Sequence, residues 1–277
     1  MDTIEMENPG ETRERQAIHE ETAAPPLVDG DAYQLRITAP GYIQYVDPDL
    51  ILNLCQEKDL VIRMLCQPGQ FARRDCVVAH VWPASAVDIQ LEKQLRRAVQ
   101  TGTQRTPTQD VEYAIDQLVE VAVRAMSPAI NDPFTAETCL DYLADGLATY
   151  CQSDETSPNY YDEEGRLRLI FEPPSTITLL GTAFDMLRHA SCNNADVLLH
   201  MLHTIECIGL SAKSPAVRQE LIRHVHLVQM ESCAGDLIEP DKERIRLGCD
   251  LAEKKLRAAS MEALLEEAIP SLREETR

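Results

Sequence analysis

The stretch that decides the fold is QRTPTQDVEYAIDQLVEVAVRAMSPAINDPFTAETCLDYL, at residues 104–143. Its first half carries the signals of a helix start. Thr106 is a suitable N-cap, Pro107 suits the first helical position, and Gln109 completes a capping box. Apolar residues then recur every three or four positions and so share one face of a helix: Val111, Ile115, Leu118, Ala122 and Ala125. The pattern predicts a helix that begins at Thr106 and ends before Pro128.

A polar corner and a second helix follow. Pro128 disfavours helical geometry at the residue before it and therefore ends the first helix. Asp132 and Pro133 then provide an N-cap and a first helical position, and Leu140 and Leu143 lie on the apolar face of the helix that they start. We expect these two helices, meeting at the corner, to be the framework on which the other segments pack.

The rest of the sequence predicts an α+β fold, with a small N-terminal β-rich module followed by a mainly helical bundle with one inserted strand. Strand patterns occur at residues 33–37, 42–46, 60–66, 76–82 and 166–171. Other helices are predicted after Asp47, up to Gln100, and at residues 175–190, 193–210, 215–234 and 240–269. The expected organisation is a disordered acidic leader at 1–31, the β-rich module at 32–84, the helical domain at 85–270 and a tail at 271–277.

The chain is strongly acidic. Its 26 Lys and Arg residues stand against 46 Asp and Glu residues, so the formal net charge is −20. Such a surface repels nucleic acids, and we expect no nucleic-acid partner. The sequence has no run of about 18 apolar residues that would predict a membrane span. Nine cysteines without a Cys-x-x-Cys pair are typical of reduced cytosolic thiols. The sequence therefore predicts a cytoplasmic protein that reaches the membrane only through a partner.

Several short stretches follow the order of a known bacterial family: Gly41–Asp47 (GYIQYVD), Asp59–Leu65 (DLVIRML), Pro68–Phe71 (PGQF), Gln104–Asp110 (QRTPTQD) and Ser127–Thr135 (SPAINDPFT). Over about residues 33–245 the sequence resembles the predicted membrane protein family called domain of unknown function 2254, most specifically at Ser127–Thr135. Usual members carry transmembrane helices ahead of this region, whereas an acidic leader stands there in this sequence. The resemblance therefore implies the soluble region of the family without its transmembrane segment, and it implies no established activity.

The best candidate site surrounds the corner. An anion or a polar ligand can be held by arginine side chains together with the free N–H groups of helix N-termini. The candidate ligand-binding residues are Arg105, Asp110, Arg124, Ser127, Asn131, Asp132 and Thr135. In the alternative interpretation these residues are structural: the arginines pair with nearby aspartates, and Asn131 locks the corner through bonds from its side chain to the backbone.

A second candidate is a metal site on one predicted helix. His200, His203 and Cys207 fall within roughly 60° of one another at 100° per residue, and their side chains are ligand types of zinc. One helix supplies too few ligands, so a closed site needs another residue from elsewhere, for which His189 and Cys192 are candidates. The alternative is a solvated helix face, because apolar residues occupy a different face.

Acid–base chemistry has a weaker basis in the sequence. Asp116 and Glu120 lie four residues apart on the first predicted helix and suit such chemistry if a cleft raises the pKa of one of them. A solvated face, or neutralisation by Arg124, also explains the pair. The sequence has no phosphate-binding glycine-rich loop and no Gly-x-Ser-x-Gly nucleophile motif.

These observations lead to one expectation and two alternatives. We expect a non-enzymatic regulatory or assembly module that binds a protein partner, either a membrane protein or a second copy of the chain. The first alternative is a domain that binds a small ligand, an anion or a metal. The second is an uncharacterised hydrolase that uses its carboxylates. The sequence predicts no cofactor and assigns no catalytic residue.

Overall fold

The computed structural model describes residues 31–153 and 157–274, with side chains described as far as Ser260. The predicted leader at 1–31, apart from Asp31, and residues 275–277 of the predicted tail lie outside the described residues. The chain divides into two compact units. The first takes the described residues up to Tyr113 and from 157 to Pro174, and the second takes Ala114 to Ser153 and Ser175 onward.

Two sheets form the first unit. Its strands are β1 (Tyr33–Arg36), β2 (Gly41–Val46), β3 (Val61–Met64), β4 (Phe71–Ala72), β5 (Val77–Trp82), β6 (Val99–Gly102), β7 (Asn159–Tyr161) and β8 (Leu167–Ile170). The five-stranded sheet has the order β1-β5-β3-β8-β7, and the three-stranded sheet has the order β4-β2-β6. Neighbouring strands are antiparallel, except that β3 and β8 run parallel, with Ile62 opposite Leu169.

The helices of the first unit are α1 (Pro48–Lys58) and α2 (Ile89–Ala98). Asp47 caps α1 by accepting a hydrogen bond of 2.9 Å from the backbone N–H of Leu50. Asp88 caps α2 in the same way, at 2.8 Å from the N–H of Leu91. The helices and both sheets enclose one apolar core, which includes Leu35, Ile43, Ile51, Leu60, Ile62, Val81, Leu91 and Leu169. Local caps and alternating apolar residues therefore account for most of this unit.

The inserted segment corrects one prediction. The sequence predicted a single strand inserted into the helical domain, whereas the structure has two, β7 and β8, and both belong to the five-stranded sheet of the first unit. The first unit also contains α2 and β6, which fall in the predicted 85–270 helical range. The difference arises because β8 also pairs with β3, which lies far away in the sequence, where local patterns cannot identify it.

The second unit is helical, so the predicted α+β class with strands first is confirmed. Its helices are α3 (Val111–Ala125), which crosses from the first unit, α4 (Pro133–Gln152), α5 (Thr176–Ala190), α6 (Ala195–Ser211), α7 (Pro215–Ala234) and α8 (Glu239–Glu274). The predicted cap at Asp132 is confirmed, and Ser175 and Asn194 cap α5 and α6 in the same way, each accepting a hydrogen bond from a backbone N–H of its helix. The α8 helix continues past Pro270, where the sequence predicted its end.

The start of α3 differs from the prediction. The helix begins at Val111 rather than Pro107. Asp110 is its cap, since the backbone N–H of Tyr113 donates to Asp110 Oδ1 at 3.0 Å. Gln109 serves another purpose: its amide exchanges two hydrogen bonds with the backbone of Val46, at 2.9 and 3.0 Å. A tertiary contact thus takes the side chain that the capping box would have used.

The helix at the centre of the second unit is α6. It packs against α4, α5, α7 and α8, most extensively against α4 and α8. The buried side of α6 carries Val197, Leu198, Met201, Ile205 and Ile208. The expectation that α3 and α4 form the framework was therefore wrong. The reason is that α6 has buried residues over about half of its circumference, a wider arc than the buried stripe of α4.

Candidate functional site

The predicted ligand-binding residue Arg105 is engaged in a bidentate ion pair. Its Nε lies 2.7 Å from Asp110 Oδ2, and its Nη2 lies 2.8 Å from Asp110 Oδ1. The Arg105 guanidinium also lies over the Tyr113 ring, 5.1 Å from the ring centroid. Asp110 is 3% exposed. Both planar groups are thus satisfied within the protein, which is the geometry in which Arg–carboxylate pairs are strongest.

The other side of Asp110 is closed by a glycine. Gly69 has φ +90°, in the left-handed region, and a Cβ added to it would overlap the Asp110 carboxylate. The N–H of Gly69 donates to the carbonyl of Ile43 at 2.8 Å, which fixes the turn in place. Asp110 is therefore enclosed by the Arg105 guanidinium on one side and by the Gly69 backbone on the other.

The corner between α3 and α4 is held mainly by backbone bonds. The N–H of Asn131 donates to the carbonyl of Ser127 at 2.9 Å, and Asn131 adopts φ +47°. Asp132 N–H donates to the carbonyl of Ala125 at 2.9 Å. The Asp132 carboxylate accepts from the Thr135 N–H at 3.2 Å and from the Thr135 hydroxyl at 2.6 Å. Both bonds lower the pKa of Asp132 below its usual range, and the bond from the Thr135 hydroxyl contributes most.

The seven predicted ligand-binding residues thus fall into two groups at opposite ends of α3. Arg105 and Asp110 precede the first residue of the 15-residue helix, and the other five lie in its last turn or in the corner beyond it. Arg124 is 68% exposed and pairs with Glu120 on its own helix. The pairing of Arg105 with Asp110 agrees with the structural alternative stated above, whereas Arg124 pairs with a glutamate rather than an aspartate.

Large apolar side chains project from this corner and from the exposed side of α4. Ile130 is 55% exposed, Phe134 78% and Tyr142 60%. Acidic residues accompany them on the same helix, namely Glu137, Asp141 and Asp145, and α4 contains no Lys or Arg. We call these six residues the α4 face. A sequence signal for it exists: Phe134 lies about 180° around the helix from the buried Leu143 at 100° per residue.

The predicted metal ligands form two pairs. His200 Nε2 lies 2.6 Å from Asp141 Oδ1 on α4, and His203 Nε2 lies 3.6 Å from Cys207 Sγ. The two histidine rings are 6.4 Å apart between centroids. Burial first, and then the nearby Glu206, raise the pKa of the Cys207 thiol. Across residues 31–153 and 157–260, no three His, Cys, Asp or Glu side chains are placed so that they could hold a metal ion.

The candidates for an additional ligand lie elsewhere. His189 lies 3.8 Å from Glu231, between its Nδ1 and the Glu231 Oε1. The residue that the structure brings to His200 is instead Asp141, which is 59 residues away in the sequence. No pattern within α4 identifies Asp141 as a partner of His200, because the contact depends on how α4 packs against α6.

Sequence reasoning also missed a buried ion cluster in the first unit. Arg168 is 3% exposed, and its guanidinium donates to Asp162 at 2.7 Å and to Asp59 at 2.8 Å. Asp162 Oδ1 accepts from the Arg166 N–H at 2.8 Å. Burial alone would raise the pKa of Asp162, but the bonds from Arg166 and Arg168 outweigh it and lower that pKa. The alternation in residues 166–171 predicted the strand but not this pairing.

Comparison with known proteins identifies the family of the chain. A family model described as Predicted membrane protein (DUF2254) matches residues 2–206, about three quarters of the chain. The chain belongs to the DUF2254 family. The predicted resemblance is therefore confirmed, with an extent that begins earlier and ends earlier than residues 33–245.

Curated relatives of this DUF2254 chain carry no assigned activity. It is 26% identical over 211 residues to Uncharacterized protein Rv1290c of Mycobacterium tuberculosis and to Uncharacterized protein Mb1321c of Mycobacterium bovis. The match covers 74% of this chain and 40% of each relative, so the chain spans less than half the length of the curated relatives that it matches. No solved structure matches the chain.

The family description raises the question of membrane contact. Within the described parts of this DUF2254 chain, none of the helices combines the length and the apolar character that crossing a bilayer requires. The longest, α8, has 36 residues and is rich in charged side chains.

Proposed function

We propose that this DUF2254 chain is a non-enzymatic module that binds a protein partner through the α4 face. The observation that supports this most is the exposure of Ile130, Phe134 and Tyr142 on a corner whose backbone is held by hydrogen bonds. A side chain the size of phenylalanine gains about 1.5–3 kcal/mol when it is fully buried. Three such side chains on a well-ordered surface form an anchor of the kind found at the centres of protein interfaces.

The charge of the α4 face narrows the class of partner. Phe134, Asp141 and Asp145 fall within roughly 40° of one another around the helix, and no basic residue on α4 offsets the carboxylates. A complementary partner therefore combines apolar side chains with Lys or Arg. Both occur together where a transmembrane helix meets the cytoplasm, because cytoplasmic flanks of membrane spans are rich in Lys and Arg.

The proposed partner is thus a basic juxtamembrane segment of a membrane protein. This choice agrees with the family description of predicted membrane proteins. It also gives the chain a place at the cytoplasmic side of a membrane without contact between its own acidic surface and anionic lipid headgroups, which would repel it.

The competing proposal of a ligand site at Arg105 has less support. An anion site needs a guanidinium with donors to spare, and Arg105 gives two of its donors to the buried Asp110. Asp116 and Glu120 offer no better case for hydrolysis, since Glu120 is 67% exposed and paired with Arg124. An exposed, ion-paired carboxylate lacks the enclosed surroundings in which a general acid or base operates.

Three synthetic helical peptides test the proposal. The first has a leucine stripe flanked by lysines, the second has glutamate in place of each lysine, and the third has serine in place of each leucine. We expect calorimetry to show binding of the first peptide in the micromolar range and no measurable binding of the other two. Phe134→Ser should weaken binding at least tenfold, whereas Ile89→Ser, at a residue in the first unit that is 70% exposed, should not.

Two results would overturn the proposal. Equal binding of the lysine and glutamate peptides would show that the carboxylates of the α4 face do not select the partner. Self-association of the chain in light scattering that Phe134→Ser abolishes, without binding of any peptide, would assign the surface to a second copy of the chain instead.

A further inference from the structure

The last helix, α8, carries apolar residues on two opposite sides. One side packs within the second unit, where Ile245, Cys249 and Leu256 are buried. Leu247 and Leu251 lie on the other side and are 55% and 52% exposed. At 100° per residue, the midpoints of these two groups lie about 160° apart around the helix. Packing within the second unit therefore accounts for one apolar side of α8 and leaves the other in contact with solvent.

The exposed positions of α8 repeat with the spacing of a coiled coil. Alternating steps of four and three residues connect four exposed residues, namely Leu247, Leu251, Lys254 and Ala258. The sequence continues the same spacing at Met261, Leu265, Ala268 and Leu272. We call these positions the α8 seam, in which Leu251 occupies position a of a heptad. Apolar residues at positions a and d over about 3–4 heptads are typical of coiled coils, and Lys254 is the one charged residue in the seam.

The length of α8 also favours a coiled coil. The helix has 36 residues and is therefore about 54 Å long, whereas helices of globular proteins average about 10–14 residues. Helices much longer than about 25 residues are typical of coiled coils, membrane spans or helical repeats. The many charged side chains of α8 do not suit a bilayer, which leaves a second helix as the better match for the seam.

The charge of α8 allows a second copy of the chain to approach it. The whole chain has a formal net charge of −20, and two such surfaces repel each other. Between residues 239 and 260, however, α8 has six Lys and Arg residues and five Asp and Glu residues. Two copies that meet along α8 therefore bring together the part of the surface where positive and negative charges balance.

The residues beside the seam are complementary to a parallel copy of α8. In a parallel coiled coil, position g of one helix lies beside position e of the next heptad of its partner, five residues further along. Asp250 and Lys255 form such a pair, and Arg257 and Glu262 form the next. Both pairs join opposite charges. The Asp250 and Arg257 side chains are 59% and 62% exposed, so exchanging their present partners on α8 for a second copy costs little.

From this arrangement we infer that two copies of the chain associate through a parallel coiled coil formed by their α8 seams. Leu251 and Ala258 of one copy lie opposite the same residues of the other, because the two-fold axis runs along the seam. The buried side of each α8 stays packed on its own second unit. No residue of the seam belongs to the α4 face, so the two surfaces are tested separately.

Sedimentation velocity of the full chain over a range of concentrations tests the association. We expect a dimer of twice the chain mass of 31.1 kDa. Leu251→Glu places two carboxylates opposite each other and should weaken the dimer at least about tenfold, whereas Lys254→Leu removes the charge from the seam and should strengthen it by about as much. Leu210→Glu is the matched control, because Leu210 is 53% exposed on α6 and should not affect association.

Disulfide crosslinking tests the parallel arrangement. Ala258→Cys is made in a chain whose exposed cysteines, Cys76 and Cys233, are replaced by serine. A copper–phenanthroline oxidant should link two copies at position 258, since this residue meets its own counterpart only in the parallel register. Arg246→Cys, on the flank of α8, should remain largely uncrosslinked.

Several results would overturn the inference. These are a monomer at every concentration, a dimer that Leu251→Glu leaves intact, and a dimer that Ala258→Cys does not crosslink. Loss of the dimer in Phe134→Ser protein would assign the contact to the α4 face instead. A dimer that persists in Phe134→Ser protein while peptide binding is lost would support both surfaces, and a dimer without any peptide binding would contradict the proposed function alone.

Discussion

Two pairs of aspartates in this chain have the same chemistry and opposite surroundings. Asp110 and Asp162, in the first unit, are 3% and 7% exposed, and arginines and backbone N–H groups satisfy their oxygens. Asp141 and Asp145, on α4, are exposed to solvent. A buried carboxylate is tolerated only when it is paired, whereas an exposed one is stabilised by water and can contact a partner. In a protein with so many acidic residues, burial distinguishes the carboxylates that stabilise the fold from those that can contact a partner. The residue type alone does not make this distinction.

The largest expected effect comes from removing a buried carboxylate. Asp162→Ala leaves the Arg168 guanidinium buried with only the exposed Asp59 as an acidic partner. Breaking a buried ion pair from one side costs about 3–5 kcal/mol, and we expect a loss of that size in the free energy of unfolding in urea. Glu163→Ala, at the exposed neighbouring position, should cost less than about 0.5 kcal/mol. Equal losses in the two variants would remove the distinction between buried and exposed carboxylates.

Acidification tests whether burial also determines the protonation state of a side chain in the second unit. His224 is fully buried. Burial first, and then the positive charges of Arg223 and Arg188, lower its pKa to about 4, although Asp185 and Glu220 act in the opposite direction. The unfolded chain therefore takes up the proton first. Stability from this group is complete above pH 6.5, is lost as the pH falls toward 4, and changes no further below 4. A shift of this size corresponds to about 3 kcal/mol.

Substitution of His224 provides the control for that prediction. A His224→Gln variant should lose less stability than the native chain between pH 6.5 and 4, when both are unfolded in urea at each pH. Parallel curves for the two proteins would show that exposed carboxylates, rather than this buried ring, dominate the acid response.

A comparison of alanine substitutions at two glycines tests how closely the Gly69 backbone approaches Asp110. Gly69→Ala combines φ +90° with overlap of the new Cβ and the Asp110 carboxylate, whereas Gly165→Ala has φ +77° and no atom within 4 Å of the new Cβ. A left-handed alanine costs about 1–2 kcal/mol. We expect Gly165→Ala to lose that amount and Gly69→Ala to lose about 1 kcal/mol more. Thermal unfolding measures both variants, and equal losses would show that Asp110 has room to move.

The smallest effect on stability is expected on the α4 face. Phe134→Ser removes a side chain that is 78% exposed, so the free energy of unfolding should change by less than about 0.5 kcal/mol. The same variant should nevertheless lose binding of the lysine–leucine peptide. A large loss of stability would instead identify Phe134 as part of the packing of the second unit and would weaken the proposed docking surface.

Local signals in the sequence predicted most of the fold. Helix starts at Asp47, Asp132, Ser175 and Asn194 followed from residues whose side chains bond their own helix. The prediction failed where a distant segment intervenes. Gln109 bonds Val46 rather than completing a capping box, and the short strands β4 and β6 depend on pairing with β2, which no local pattern reveals.

The candidate sites show the same limit. The sequence placed His200, His203 and Cys207 on one helix face, which a helical period alone can do. It did not find Asp141, because that contact requires α4 to pack beside α6. It also did not predict the burial of Asp110 beside Arg105, which is a property of the folded unit rather than of the residues nearby in sequence.

The split of the first unit into two stretches of sequence affects how the protein is made on the ribosome. Arg168 follows Leu60, whose carbonyl it contacts, by 108 residues. Until the ribosome has translated β8, the edge of β3 that pairs with β8 stays unpaired in the nascent chain. During this time α3 and α4 are still being synthesised. Unpaired strand edges promote aggregation of incomplete chains. Ribosomes stalled between α4 and β7 should therefore display a chaperone-dependent intermediate, and release should allow the sheet to close.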